Sequence, residues 1–328
     1  MQHQRWNGRR RRRIRYRRFR WDRLALCAAL LTVLVFSVVK LVGYGIDLLT
    51  ARSASQKLRA VYYADPTQEI TAETTALLPA ETPQPAAVLA EAVTAVPAVT
   101  PVPSVSPVPR LEAVAYPANT DLKINGRFQE LRQKNKDIVG WLTIESLLDE
   151  PVVQRNNVFY LNHDVEGREN VNGALFLDSA VSLKTRPYAL IVYGHNMKSG
   201  AMFGSLRNFA NTSFYHRSPF ITFDSMYESG RYVVFAEGSV NVEVEGRNYL
   251  DFFSLTSSDP RERQAAIDTL VGVSTYTCMV DVKPDDQLLV LVTCVDSDAE
   301  RRVVAARRLR DGESESELKT QVARSARR

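Results

Sequence analysis

Residues 287–306 read QLLVLVTCVDSDAERRVVAA, and this stretch decides the fold. Leu288 to Val292 is an unbroken apolar run, bounded by polar residues and too short for an ordinary helix. A strand apolar on both faces belongs in the middle of a sheet. The polar stretch Val295-Asp296-Ser297-Asp298 follows, and Arg301–Ala306 opens a second strand. Upstream, similar short runs rich in Val, Ile, Tyr and Phe occur at Gly140–Ile144, Pro151–Gln154, Ala174–Leu177, Tyr188–Tyr193, Phe220–Phe223, Tyr232–Glu237 and Tyr249–Leu255. Asn, Asp, Gly and Ser separate them. Many short strands with such turns predict a mainly β barrel or sandwich. Two helices interrupt the series. Asn125 caps a short one carrying Phe128 and Leu131 on one face. Asp259-Pro260-Arg261-Glu262 starts the other, with a cap, a proline at the first helical position and a capping-box glutamate. Ala266, Ile267 and Leu270 form its apolar face. The charged chain after Leu309 is expected to fray.

The chain has 328 residues, 45% of them hydrophobic and 24% charged, enough for a sizeable core and about two structural units. Its net charge of +5 is uneven. Residues 1–23 hold eleven arginines and one aspartate, a local +10 that leaves −5 for the remainder. The body is therefore not a basic nucleic-acid-binding domain. Three cysteines without a CxxC pair and four histidines give no recognisable zinc site, and no P-loop motif is present.

Residues 24–47, LALCAALLTVLVFSVVKLVGYGID, reach the length of a membrane-spanning helix if Lys40 snorkels its ammonium to the interface. Trp21 and Tyr44 stand where aromatic belts would hold the two ends. The arginines on one side predict a cytoplasmic N-terminus and an extracellular body. A cleaved signal peptide shares the basic start and apolar run. Here the run is longer, and Ala51-Arg52-Ser53 and Ala54-Ser55-Gln56 are poor cleavage sites, so an uncleaved anchor is the reading adopted. Residues 79–117 contain nine prolines among Ala, Val, Thr and Ser, which cannot bury a core. Fully extended, this spacer would reach about 120 Å.

Three residue types could do chemistry. Cys294 ends the central strand at a rim, where a scaffold can present a nucleophile and where a structural thiol also fits. A bridge to Cys278 is disfavoured, because a hairpin turning at Pro284-Asp285 would set Cys278 opposite Leu291. His195 follows the strand Ala189–Tyr193 and a glycine, a position open to a hydrogen-bonding loop histidine or to an acid/base. His163 and His216 lie in polar loops. Arg301 and Arg302 open the last strand on opposite faces, so one can enter a site while the other meets solvent; both could equally be solvated.

Together these segments resemble the class B sortases. Val192–Leu206, VYGHNMKSGAMFGSL, resembles that family's histidine segment, and Leu291-Val292-Thr293-Cys294 its nucleophile strand. Arg301-x-Val303-Val304-x-Ala306-Arg307 resembles the arginine strand. Val139–Leu142, Pro151–Gln154, Tyr160–Asp164 and Gly173–Asp178 also match, so the resemblance covers about residues 120–310. It implies a closed sortase-type barrel of about eight strands with N-terminal and inserted helices. The organisation expected is a basic cytoplasmic tail (1–23), a transmembrane signal-anchor helix (24–47) and a disordered Pro/Ala-rich extracellular linker (48–118). A catalytic domain (119–312) and a charged C-terminal tail (313–328) complete it.

The resemblance further implies a membrane-anchored cysteine transpeptidase of a Gram-positive surface. It would cleave the C-terminal sorting signal of surface proteins or pilins through a thioacyl-enzyme. The acyl group would pass to an amine of a peptidoglycan precursor or a pilin lysine. Cys294 matches the nucleophile, His195 the general acid/base and Arg301 the stabiliser of the oxyanion and substrate. Arg302 fits less well, since Arg301 keeps the R-x-V-V spacing. No metal or other cofactor is required, and no nucleic acid is involved. Two features depart from the family. Val292 stands where many members have serine, and the short 295–300 segment leaves Asp296 and Asp298 only as candidates for an accessory acid. A non-catalytic assembly module and a purely hydrolytic cysteine peptidase are the competing readings.

Overall fold

The computed structural model describes residues 21–64, 116–243, 246, 248–294 and 299–328. The arginine-rich start, most of the Pro-rich stretch, Asp296 and Asp298 lie outside the described residues. The chain divides into two units, residues 1–50 and 51–328.

In the first unit, residues 21–50 are helical throughout and form the start of α1 (Trp21–Tyr62). This helix is long and apolar enough to cross a membrane. Leu30, Leu34, Phe36 and Val39 present bare side chains along it.

The second unit begins with the end of the same helix, and this corrects the expected linker boundary. Residues 51–62 are helical and packed. Ala51, Ala54, Leu58 and Tyr62 recur every three or four residues on one face and are buried. Tyr62 stacks on Trp141 with ring centroids 4.3 Å apart, and its hydroxyl donates to Asp224. Arg59 reaches the Asp149 carbonyl at 2.6 Å and its carboxylate at 2.9 Å. Trp141 Nε1 donates to the same carboxylate at 2.6 Å. Burying Leu58 and Tyr62 contributes about 1.5–3 kcal/mol each. The sequence explains the difference: no proline occurs between Ala51 and Asp65, so the composition of 79–117 does not extend this far back.

The body is the closed eight-stranded barrel that the resemblance implied. Its strands are β1 (Ile138–Ile144), β2 (Leu148–Val153), β3 (Leu175–Leu177), β4 (Ala189–Gly194), β5 (Phe220–Ser225), β6 (Ser229–Asn241), β7 (Leu288–Cys294) and β8 (Glu300–Arg308). They close in the order β1-β2-β3-β4-β7-β8-β6-β5. β2–β3 and β4–β7 are parallel; the other pairs are antiparallel. β7 lies between β4 and β8 with both faces buried, as its unbroken apolar run requires. One core cluster includes Leu142, Leu175, Ile191 and Leu291. A second gathers Leu58 and Tyr62 with Trp141, Val153 and Phe176, together with α2 (Gly126–Lys134).

Both expected helices form. The Asn125 side chain accepts from Arg127 N–H at α2. Asp259 accepts from Arg261 N–H at α3 (Pro260–Val273). Glu262 departs from the capping box: its carboxylate accepts from the Ser257 hydroxyl, which itself accepts from the Asp259 N–H.

Three expectations are corrected. Tyr249–Leu255 is not a strand; Asp251 caps a 3-10 turn over Phe252–Thr256, which buries Phe252 and Leu255 at helical spacing. The C-terminal segment does not fray. Ser314 caps α4 (Glu315–Val322), Leu318 and Val322 are buried, and the Arg307 guanidinium grips Glu313 at 2.6 and 2.7 Å. Nor does Cys278 lie on a hairpin with β7. Its neighbours pair with the C-terminus, Thr277 N–H donating to the Ala326 carbonyl at 2.8 Å, and Cys278 is a free thiol.

The α1 seam contains a strained charge. Burial pushes the Glu150 carboxyl up to about 6, against the opposing pull of its Ser55 hydrogen bond and Arg59. A raised carboxyl binds its proton more tightly folded than unfolded, so this group subtracts stability as pH rises through about 4.3 to 6. Glu150→Gln should therefore stabilise the protein by on the order of 2 kcal/mol at pH 8. Thermal unfolding at pH 8 and pH 4 checks this; the gain should vanish at pH 4.

Candidate active site

The parallel pairing of β4 with β7 aligns Tyr193 with Val292 and Gly194 with Thr293. His195 follows Gly194 directly, so its backbone arrives beside that of Cys294, the last residue of β7. On the other side of β7, Cys294 stands opposite Arg301 in the antiparallel ladder with β8. Three strands adjacent in the barrel thus bring residues 195, 294 and 301 to one rim.

The β4 end is shaped by close contacts. A side chain at Gly194 would run into Leu175 and the Phe203 ring. His195 then leaves the strand and is partly buried. Its Nε2 lies 2.6 Å from the Leu161 carbonyl oxygen. A carbonyl only accepts, so Nε2 carries the proton and Nδ1 is the basic nitrogen of the neutral ring. The backbone clasps the loop as well, Phe203 N–H donating to the His195 carbonyl at 3.0 Å. Met202 has φ +48°, a conformation costly for a residue with a Cβ.

Gly173 secures the carbonyl that holds His195. Its φ is +60°, and an added Cβ would lie 2.5 Å from the Tyr160 oxygen and 2.8 Å from the Leu161 oxygen. It would also sit 3.1 Å from His195 Cδ2. Only glycine allows these three groups to meet.

The two arginines part ways, as alternation along β8 requires. Arg302 donates from Nη1 to Glu237 at 2.6 Å, and Glu237 is fully buried. The Thr275 hydroxyl donates to the other Glu237 oxygen at 2.8 Å. Arg302 is therefore committed to a buried ion pair. Arg301 donates from Nη1 to the Glu300 carbonyl at 2.8 Å and acts electrostatically on the Tyr193 hydroxyl. Tyr193, Val292 and Val303 form one row across β4, β7 and β8, with Phe176 continuing it on β3.

Asp178 and Tyr193 belong to this neighbourhood although the sequence did not single them out. Asp178 is buried and accepts from Ala180 N–H at 2.8 Å and Asn157 Nδ2 at 3.1 Å. Burial, and then the Asp178 charge and hydrogen bond, push the Tyr193 phenol well above its usual value, so it stays protonated. Asp178 closes the quoted Gly173–Asp178 motif, which is the signal that could have flagged it. The Leu161 contribution is a backbone oxygen and carries no residue-type signal.

The other described histidines, His163 and His216, make structural contacts. His163 stacks on Phe159 with centroids 3.9 Å apart and pairs its Nδ1 with the Phe159 carbonyl. His216 Nε2 bonds the Ser325 carbonyl at 3.0 Å. Among the described residues no cluster of His, Cys, Asp and Glu could hold a metal ion.

No family model matches the chain. Curated relatives do. The chain is 30% identical to sortase B of Staphylococcus aureus over 192 residues, 57% of this chain and 75% of the relative. It is 29% identical to sortase B of Listeria monocytogenes over 188 residues, 55% of this chain and 72% of the relative. A solved Staphylococcus aureus sortase B–substrate complex superposes with a TM-score of 0.51 at 28% identity, covering 58% of this chain and 88% of that one.

Two substitutions separate architecture from chemistry at this rim. Arg302→Ala strands buried Glu237 and should cost about 3 kcal/mol, read as a lowered midpoint in urea unfolding. Arg301→Ala should cost less unfolding free energy than Arg302→Ala in the same experiment.

Proposed function

The chain belongs to the sortase B family of cysteine transpeptidases, and from that membership we propose that it is a membrane-anchored transpeptidase using Cys294, His195 and Arg301. The observation that carries the assignment is the register: Cys294 faces Arg301 across β7–β8, and His195 follows the residue paired with Thr293.

The steps follow from those positions. The Cys294 thiol gives its proton to His195 Nδ1, and the thiolate adds to the scissile carbonyl of a sorting signal. Negative charge then develops on the carbonyl oxygen, and the Arg301 guanidinium stabilises it. His195 Nδ1 returns the proton to the leaving amine as the C–N bond breaks, which leaves a thioester on Cys294. An incoming amine attacks the thioester, its proton passes to Nδ1, and the thiolate is expelled and reprotonated. The Leu161 carbonyl retains the Nε2 proton throughout, so the exchange is confined to Nδ1. Val292, buried between Tyr193 and Val303, puts a methyl surface where many family members have a hydroxyl. Signal preference is expected to shift toward apolar contacts there.

The substrates proposed are surface proteins or pilins bearing a C-terminal sorting signal. The acceptor is an amine of a wall precursor or a pilin lysine. The apolar part of α1 supports membrane anchoring, and the arginines before it support a cytoplasmic N-terminus with the barrel outside.

Intact-mass measurement after incubation with a panel of sorting-signal peptides tests the reading. A thioacyl adduct equal to the N-terminal peptide fragment is expected, absent in Cys294→Ala. Added amine should discharge it as a ligated product. Turnover retained in Cys294→Ala would remove Cys294 as nucleophile. Discharge by water alone would point to a peptidase. Peptide binding with no adduct at any pH would favour a non-catalytic assembly module.

A further inference from the structure

Residues 65–115 join two segments that are fastened to the same place. At the upstream root, Tyr62 is 4% exposed, stacks on Trp141 and donates to Asp224 at the end of β5. At the downstream root, Tyr116 is 2% exposed and donates to the Leu183 carbonyl at 2.9 Å. Its ring packs on Tyr227, with centroids 5.7 Å apart. Asn119 Nδ2 adds a bond to the Tyr227 carbonyl at 3.0 Å. Asp224 is the penultimate residue of β5, and Tyr227 lies in the turn that joins β5 to β6. Their Cα atoms are three residues apart, at most about 11 Å. The residues that flank 65–115 on either side therefore both hold the β5–β6 hairpin, and the contour length between them adds no separation.

We propose that the Pro-rich segment is an excursion from the catalytic domain and not its stalk, so that docking of residues 51–62 on the barrel, and not the linker, joins the domain to its anchor. This rests on the anchoring in the proposed function. Only residues 48–50 separate the end of the apolar stretch at Asp47 from buried Ala51. That junction spans about 14 Å at full extension, whatever its conformation. A domain of this size is about 45 Å across. The catalytic rim thus works within about 60 Å of the bilayer. A Pro-rich stalk would have allowed about 120 Å more.

Proteolytic nicking decides the point. A site-specific protease sequence is inserted between Ala90 and Glu91 of the full chain, which is reconstituted in phosphatidylethanolamine–phosphatidylglycerol vesicles, cut and floated. The expected result is that the barrel fragment still floats with the N-terminal fragment. Release of the barrel fragment on cutting would overturn the proposal. If the uncut chain fails to float, the anchoring reading falls. The same cut in detergent then decides the docking: co-elution of the fragments supports it and separation overturns it. Leu58→Asp with Tyr62→Asp should release the barrel fragment after cutting while the uncut chain stays intact, and retention in that variant would place the connection elsewhere. The parent chain's outcome stands whether or not the variant folds.

Discussion

The placement of one parallel strand pair governs this molecule. β4 and β7 are far apart in the chain, yet their alignment, Gly194 beside Thr293, determines where His195 emerges. The antiparallel step to β8 then determines which arginine stands opposite Cys294. A slip of one residue between β7 and β8 would exchange Arg301 for Arg302 opposite Cys294, and one between β4 and β7 would move His195 out of line with it; either breaks the Tyr193–Val292–Val303 row. The apolar filling on both sides of β7 resists that slip. The buried pair of Arg302 with Glu237 resists it too, because moving it would strand an ion inside the barrel.

The sequence disclosed most of the architecture because the relevant signals are local. The apolar run Leu288–Val292, the Asn125 cap and the Asp259-Pro260 helix start each state their own structure. Signals that misled were also local. Tyr249–Leu255 has strand composition, but Asp251 turns it into a capped 3-10 turn. The charged end of the chain carries only two apolar anchors, Leu318 and Val322, and their partners come from elsewhere in the fold. Residues 51–62 look like the start of a linker until Trp141 and Asp149 supply their docking face.

The candidate site was legible as residue types and not as an arrangement. Cys294, His195 and Arg301 were marked by motif. The carbonyl that fixes the histidine tautomer, the glycine that lets that carbonyl approach, and the Asp178–Tyr193 pair depend on distances between segments. Arg301 and Arg302 were indistinguishable by composition. Buried Glu237, which claims one of them, lies more than sixty residues earlier in the chain.

The parallel β4–β7 pair also has a kinetic meaning. Ala189 meets Leu288, nearly one hundred residues later, so this ladder has a high contact order. Pairings of that kind form late, after much loop-closure entropy has been lost. A chain emerging N-terminus first can complete β1, β2, β5 and their turns while β7 is still unmade. The backbones at 294 and 195 then become neighbours only when the barrel closes. A partly folded chain holds residues 195 and 294 far apart, so the proposed site is assembled only on completion of the fold.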